Sequence, residues 1–187
     1  MKRKLEKKKD KKKNSNAGWI IKIIILAFVI SVTFSFASET ILSNVGIVVG
    51  IIVLLLFVLL GVVFDMIGVA VTSTEIGPFN SMSAQKVRGA DIAVKFKKNA
   101  DKVSSFCNDV VGDICGIISG SAGVIVASSI ATTFDLPKFY VTLVVTGLVA
   151  SLTIGGKALG KGIAIGNSTA ILHGFAEVVS MFYNVKK

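Results

Sequence analysis

The sequence predicts an all-α, polytopic membrane protein of about four transmembrane helices with amphipathic juxtamembrane helices, and three observations lead there. Of its 187 residues 52% are hydrophobic, and the mean hydropathy is +0.76, more apolar than a soluble domain of this size. Apolar stretches of about twenty residues recur, each long enough to cross a hydrocarbon layer of roughly 30 Å as a helix. The alternating pattern of a membrane barrel is absent, and an open sheet would leave backbone groups unpaired in lipid, so helix is the spanning form.

The formal charge of +10 would point to nucleic acid in a soluble chain. Its distribution points to a membrane surface instead. Nine of the 21 Lys and Arg residues lie in MKRKLEKKKDKKKN, with no aromatic residues interleaved, directly before the first apolar segment. Residues 1–17 therefore read as a cytoplasmic tail attracted to anionic headgroups by about 1 kcal/mol per Lys. No nucleic-acid partner is expected.

The first apolar segment, within residues 18–37, carries one charge, Lys22, near enough to the basic end to snorkel. It reads as an extra transmembrane helix or as a signal peptide, since Ser35, Phe36 and Ala37 form a small-x-small cleavage site. The second segment, residues 45–71, is interrupted by Asp65 and runs into TSTEIGP, where Gly77 and Pro78 stop a helix. Residues 79–103 follow as a basic amphipathic stretch. There Ile92, Phe96 and Val103 recur at helical spacing, opposite Lys95, Lys97, Lys98 and Lys102.

The third segment, residues 104–132, is rich in small side chains. Gly112, Gly116 and Gly120 form two overlapping GxxxG spacings, which let helix backbones approach closely and predict the buried helix of the bundle. TFDLPKF leads to a fourth segment, residues 140–156, after which GGKALGKG returns the chain to a basic surface. Residues 163–183 place Ile171, Leu172, Phe175, Val178, Val179 and Phe182 on one face of a second interfacial helix.

Charge asymmetry tests this order. The tail, residues 79–103 and the chain beyond Gly156 hold nearly all Lys and Arg, whereas loops 38–44 and 133–139 hold only Lys138. Four crossings put every basic segment on the cytoplasmic side of the cell membrane, and loss of the first leaves that orientation unchanged.

Cys107 and Cys115 fall eight residues apart in one predicted helix, about 12 Å at helical rise and too far to bridge. They read as packing residues. No nucleophile elbow, zinc-protease helix or Walker loop is present, so no enzyme is predicted.

Acidic groups inside apolar helices are the candidate site. An ionised carboxylate at bilayer depth must be paired or hydrated, and Asp65, Asp109 and Asp113 lie at or within predicted spans. Asp109 and Asp113 stand one turn apart, and Ser104 and Asn108 form a second such pair. Oxygen donors without histidine or thiolate pairs suit a hard cation such as Mg²⁺ or Ca²⁺. The alternative is structural: the acids pair with lysines such as Lys98 or Lys102, and Ser104 and Asn108 hold helices together. Asp65 has no evident partner in the sequence, and the lone His173 reads as interfacial.

At these residues the chain resembles the membrane domain of the CNNM/CorC/CorB magnesium transporter family. TSTE at 72–75 is similar to that family's S-x-S-E at the end of its first helix, and NADKVSS at 99–105 to its N-P-D/E-R-F-L-S entry to the second. NDVVGDI at 108–114 is similar to G-N-T-L-V-N-I, and GKALGK at 156–161 to G-E-I-L-P-K closing the third helix. Order and spacing agree over about residues 45–183. The resemblance implies a homodimer of three-helix domains holding a dehydrated Mg²⁺, with Thr72 and Thr74, then Asp109 and Asp113 or their neighbours Ser104 and Asn108, and finally Gly155 or Gly156 as the counterparts of its ligands. Lys157 stands where the family has Glu and Gly160 where it has Pro, and the resemblance covers the membrane domain without the family's nucleotide-binding CBS pair. The resemblance therefore implies a divalent-cation transporter working by alternating access. The competing expectation is a non-transporting scaffold or regulatory subunit that keeps the fold, and a separate regulatory partner fits either.

Overall fold

A computed structural model describes residues 21–33, 35–36, 39–40 and 46–182; the basic tail at 1–17 and part of the segment at 18–37 lie outside these. Among the described residues every regular element is helical. A short apolar helix, α1 (Ile21–Thr33), precedes three helices long and apolar enough to cross a membrane.

The first of these, α2 (Ile47–Ser73), is an almost unbroken run of Val, Ile and Leu in which only Asp65 is charged. Its end is held from outside: Lys97 Nζ donates to the carbonyls of Val71 at 3.1 Å and Thr72 at 2.9 Å, satisfying acceptors that the helix itself leaves open. Next comes α3 (Gly77–Ala84), with Pro78 in its first turn, where a missing N–H is harmless. The chain then turns through Gly89, at φ 79°, into α4 (Ala90–Lys98). The Ser83 hydroxyl bonds to the Asp91 carboxylate and ties this turn together. Asp91 in the first turn of α4 and Lys95, Lys97 and Lys98 in the last complement its dipole.

Asn99 interrupts the helix before the second membrane-length element. That element runs continuously over Ala100–Thr133, as α5 (Ala100–Ser105), a π-helical segment (Phe106–Gly112) and α6 (Asp113–Thr133). A turn containing Pro137 leads to α7 (Lys138–Gly166), and Asn167 separates it from α8 (Ser168–Phe182). The fourth apolar segment thus continues as helix ten residues past the expected return at 156. Gly156 and Gly160 explain why: a Cβ on either would meet Val62 Cγ2 or Met66 Cγ at 2.8 Å, so these glycines seat α7 against α2 instead of ending it.

The three long helices pack pairwise into a bundle. Contacts of Gly61 with Cys115 and of Gly68 with Asn108 run in opposite chain directions, so α2 and the second long helix are antiparallel. The order Val62–Gly156 and Met66–Gly160 makes α2 and α7 parallel. Leu54, Val58, Ala122, Val126 and Val149 fill the bundle toward the end at which α2 begins. The Gly-rich second helix is the most enclosed, with 50% of its most apolar window buried against 22% for α2 and 6% for α7.

A second layer caps the end at which α2 stops. Phe79 of α3, Ile92 and Ala93 of α4, and Leu172 and Ala176 of α8 bury against Ile67 and Val71. Phe175 of α8 stacks on Phe96 with ring centroids 5.6 Å apart and meets Phe64 edge-on. The basic stretch expected at 79–103 is therefore three helical pieces whose apolar face serves the chain's own core, with Lys95, Lys98 and Lys102 exposed and Lys97 turned back onto the end of α2.

Candidate functional site

Each of the three long helices contributes one ionisable side chain to a single cluster. Lys157 Nζ of α7 lies 3.7 Å from Oδ1 of Asp65 in α2 and 3.7 Å from Oδ1 of Asp113 at the start of α6. Asp65 precedes the end of α2 by eight residues and Lys157 the end of α7 by nine, which sets both about 12–14 Å inside the helix ends. The Asp65 side chain is 19% exposed and that of Lys157 26%, whereas Asp113 is open at 66%.

Close backbone packing builds this meeting point. Gly156 and Gly160 bring α7 onto α2 on either side of Lys157, and Gly112 lies beside the ammonium, where an added Cβ would be in ordinary contact 3.6 Å from Nζ. Gly61 faces the Gly112 carbonyl, so α2 and α6 are also in near-backbone contact. Of the GxxxG repeat, Gly112 is used inside the chain, while Gly116 and Gly120 meet nothing within 4 Å.

One helical turn from the cluster, Asn108 lies against Gly68 with its Oδ1 buried and without a hydrogen-bond partner among the described residues. Gly68 follows Asp65 by three residues, neighbours on a helix face at about 5–6 Å. Asn108 precedes Asp113 by five, one turn of the π-helical winding. Because the two helices are antiparallel, both steps lead in the same direction. The free amide oxygen therefore lies on the capped side of the two carboxylates.

The remaining sequence candidates fall elsewhere. Thr74 is buried at the end of α2, its hydroxyl 3.1 Å from that of Thr169 in α8. Thr72 is exposed, and its hydroxyl donates to the Val69 carbonyl at 2.9 Å. Ser104 is half-buried in α5, and Asp109 is exposed on the π-helical segment. Gly156 is pressed on Val62, and Gly155 is open. No two of the seven residues Thr72, Thr74, Ser104, Asn108, Asp109, Asp113 and Gly156 are hydrogen-bonded to each other among the described residues. Nor do three or more His, Cys, Asp or Glu gather there around one point.

The sequence points to Asp65 and Asp113 but not to the residue that joins them. Lys157 reads as part of a basic exit from the membrane. The signal that identifies it is its position between two glycines that seat α7 on the helix bearing Asp65. Both cysteines are buried free thiols, as their spacing implies. His173 is half-buried in α8, with Nε2 unpartnered among the described residues.

An apolar cavity of about 250 Å³ lies beside the π-helical segment, lined by Ile30, Phe57, Phe64, Val110 and Ile118 among others. It offers no polar group to an ion. The chain matches no model of a known protein family, no curated protein and no solved structure.

Proposed function

We propose that this chain binds a divalent cation, Mg²⁺ or one like it, within the bilayer and carries it across the cell membrane in the manner of CNNM/CorC transporters. The observation that carries this reading is the joining of Asp65, Lys157 and Asp113, one from each long helix, in a single cluster. Charged side chains are costly inside a membrane, and where they converge between helices they mark ion paths. Two carboxylates and the unpartnered Asn108 oxygen one turn away form an all-oxygen donor set, which suits a hard cation. Thr72 lies one further turn down α2 from Gly68, so polar groups continue toward the helix end. With the N-terminal tail cytoplasmic, α3, α4 and α8 lie on the cytoplasmic side, where the exposed Lys95 and Lys98 of α4 meet anionic headgroups. Gly116 and Gly120, open on α6, supply a surface for a second copy in a homodimer.

A second reading has its own support. Lys157 already holds both carboxylates and Thr74 already bonds Thr169, the arrangement of a non-transporting scaffold or regulatory subunit whose polar groups lock helices together. Mg²⁺ flux into proteoliposomes containing the full chain separates the two. A transporter gives saturable flux that falls at least tenfold in Asp65→Asn and in Asp113→Asn. Flux no greater than that of empty vesicles leaves the scaffold.

A further inference from the structure

Lys157 brings a fixed positive charge to the place where a cation would be held. The two carboxylates carry a charge of −2 and the ammonium returns +1, so the cluster as it stands has a net charge of −1. Adding a divalent ion without moving the lysine would leave +1 at bilayer depth and set two cations side by side. Replacing the ammonium by the ion leaves zero. Net charge and like-charge contact are both disfavoured beside the enclosed Asp65, so the neutral exchange is the accessible one.

The geometry suits an exchange. Both Nζ–O separations are 3.7 Å, well beyond the roughly 2.7–2.9 Å of a charge-assisted hydrogen bond. The ammonium is thus drawn to the midpoint by its charge without being fastened to either oxygen. Its side chain is a quarter exposed, and the four-carbon stem of a lysine can carry the charge toward an aqueous surface while its methylenes stay in apolar surroundings.

We infer that Lys157 is a tethered counter-cation, and that a divalent cation and the Lys157 ammonium occupy the Asp65–Asp113 site by turns. This inference rests on the cation reading above and adds its regulation. The lysine lowers the affinity of the empty-handed site and, by returning, expels the ion. A pair of unopposed carboxylates would retain it.

Two measurements on the full chain in lipid nanodiscs test this, with Mg²⁺ alone as the probe. In the first, wild-type protein is treated with an amine-acylating reagent at increasing Mg²⁺, and modification of each lysine is followed by peptide mass spectrometry. Lys157 is expected to react at least fivefold faster at saturating Mg²⁺, while Lys161, one turn further along α7, does not change. In the second, Mg²⁺ affinity is compared by calorimetry: Lys157→Met is expected to bind at least tenfold more tightly than wild type, and Lys157→Arg within threefold of it. Mg²⁺ binding by wild type with Lys157 reactivity unchanged or reduced would overturn the exchange, as would a Lys157→Met variant that binds no more tightly. The labelling experiment decides the matter even if that variant fails to fold. Absence of Mg²⁺ binding in every version would instead remove the cation reading, and the exchange with it.

Discussion

Neutralising the two carboxylates one at a time should separate an enclosed ion pair from an open one. Lys157 Nζ is 3.7 Å from each, so distance alone predicts equal effects. Surroundings do not, because the Asp65 side chain is 19% exposed and that of Asp113 66%. At this separation an effective dielectric of about 20 gives the enclosed pair a gross attraction of about 4.5 kcal/mol, and a water-like value of about 80 gives the open pair about 1 kcal/mol. Dehydration cancels much of the larger figure. Asp65→Asn should therefore lower stability by about 1–3 kcal/mol, and Asp113→Asn by less than about 1 kcal/mol. The assay is reversible unfolding of the full chain in bicelles with chelator present, with Lys157→Met added to complete a double-mutant cycle for each acid. Coupling to Lys157 should be larger for Asp65. Equal losses, or a larger loss in Asp113→Asn, would refute the assignment of Asp65 as the lysine's enclosed partner.

Two further substitutions probe what supports the site. Gly89→Ala forces a side chain onto backbone at φ 79° and sets its Cβ 2.8 Å from the Glu177 backbone, so it should destabilise by about 2–4 kcal/mol and raise amide exchange across α8; unchanged exchange in α8 would contradict the packing described. Lys97→Met keeps the stem but removes the donor to the Val71 and Thr72 carbonyls, and should cost about 1–2 kcal/mol, with faster exchange confined to the end of α2 and its neighbours.

The membrane-length helices were legible because twenty or so apolar residues in succession have few other uses. What hid α7 beyond residue 156 is that glycine reads locally as a breaker, while at Gly156 and Gly160 it answers to a neighbour 94 residues earlier in the chain, Val62 or Met66. The same non-locality hid the partner of Asp65. A carboxylate in an apolar helix announces that something must balance it, but only the packing of α7 on α2 identifies Lys157. Asp109 and Asp113, four residues apart, are both exposed, and of the two it is Asp113 that reaches Lys157. Thr74 was visible as a polar residue at a helix end, whereas its bond to Thr169 depends on how α8 folds back.

The π-helical segment has a consequence for the chain as a whole. Five-residue rings take up more chain per unit of height than the four-residue rings on either side, so residues 106–112 hold surplus length that a regular helix would not need. Such a bulge is how a long helix can absorb a one-residue insertion: the extra residue swells the coil locally while the chain beyond keeps its phase. Here the swelling falls between Ser105 and Asp113, so the phase of α6 against its neighbours is decoupled from the phase of the stretch that carries Asn108.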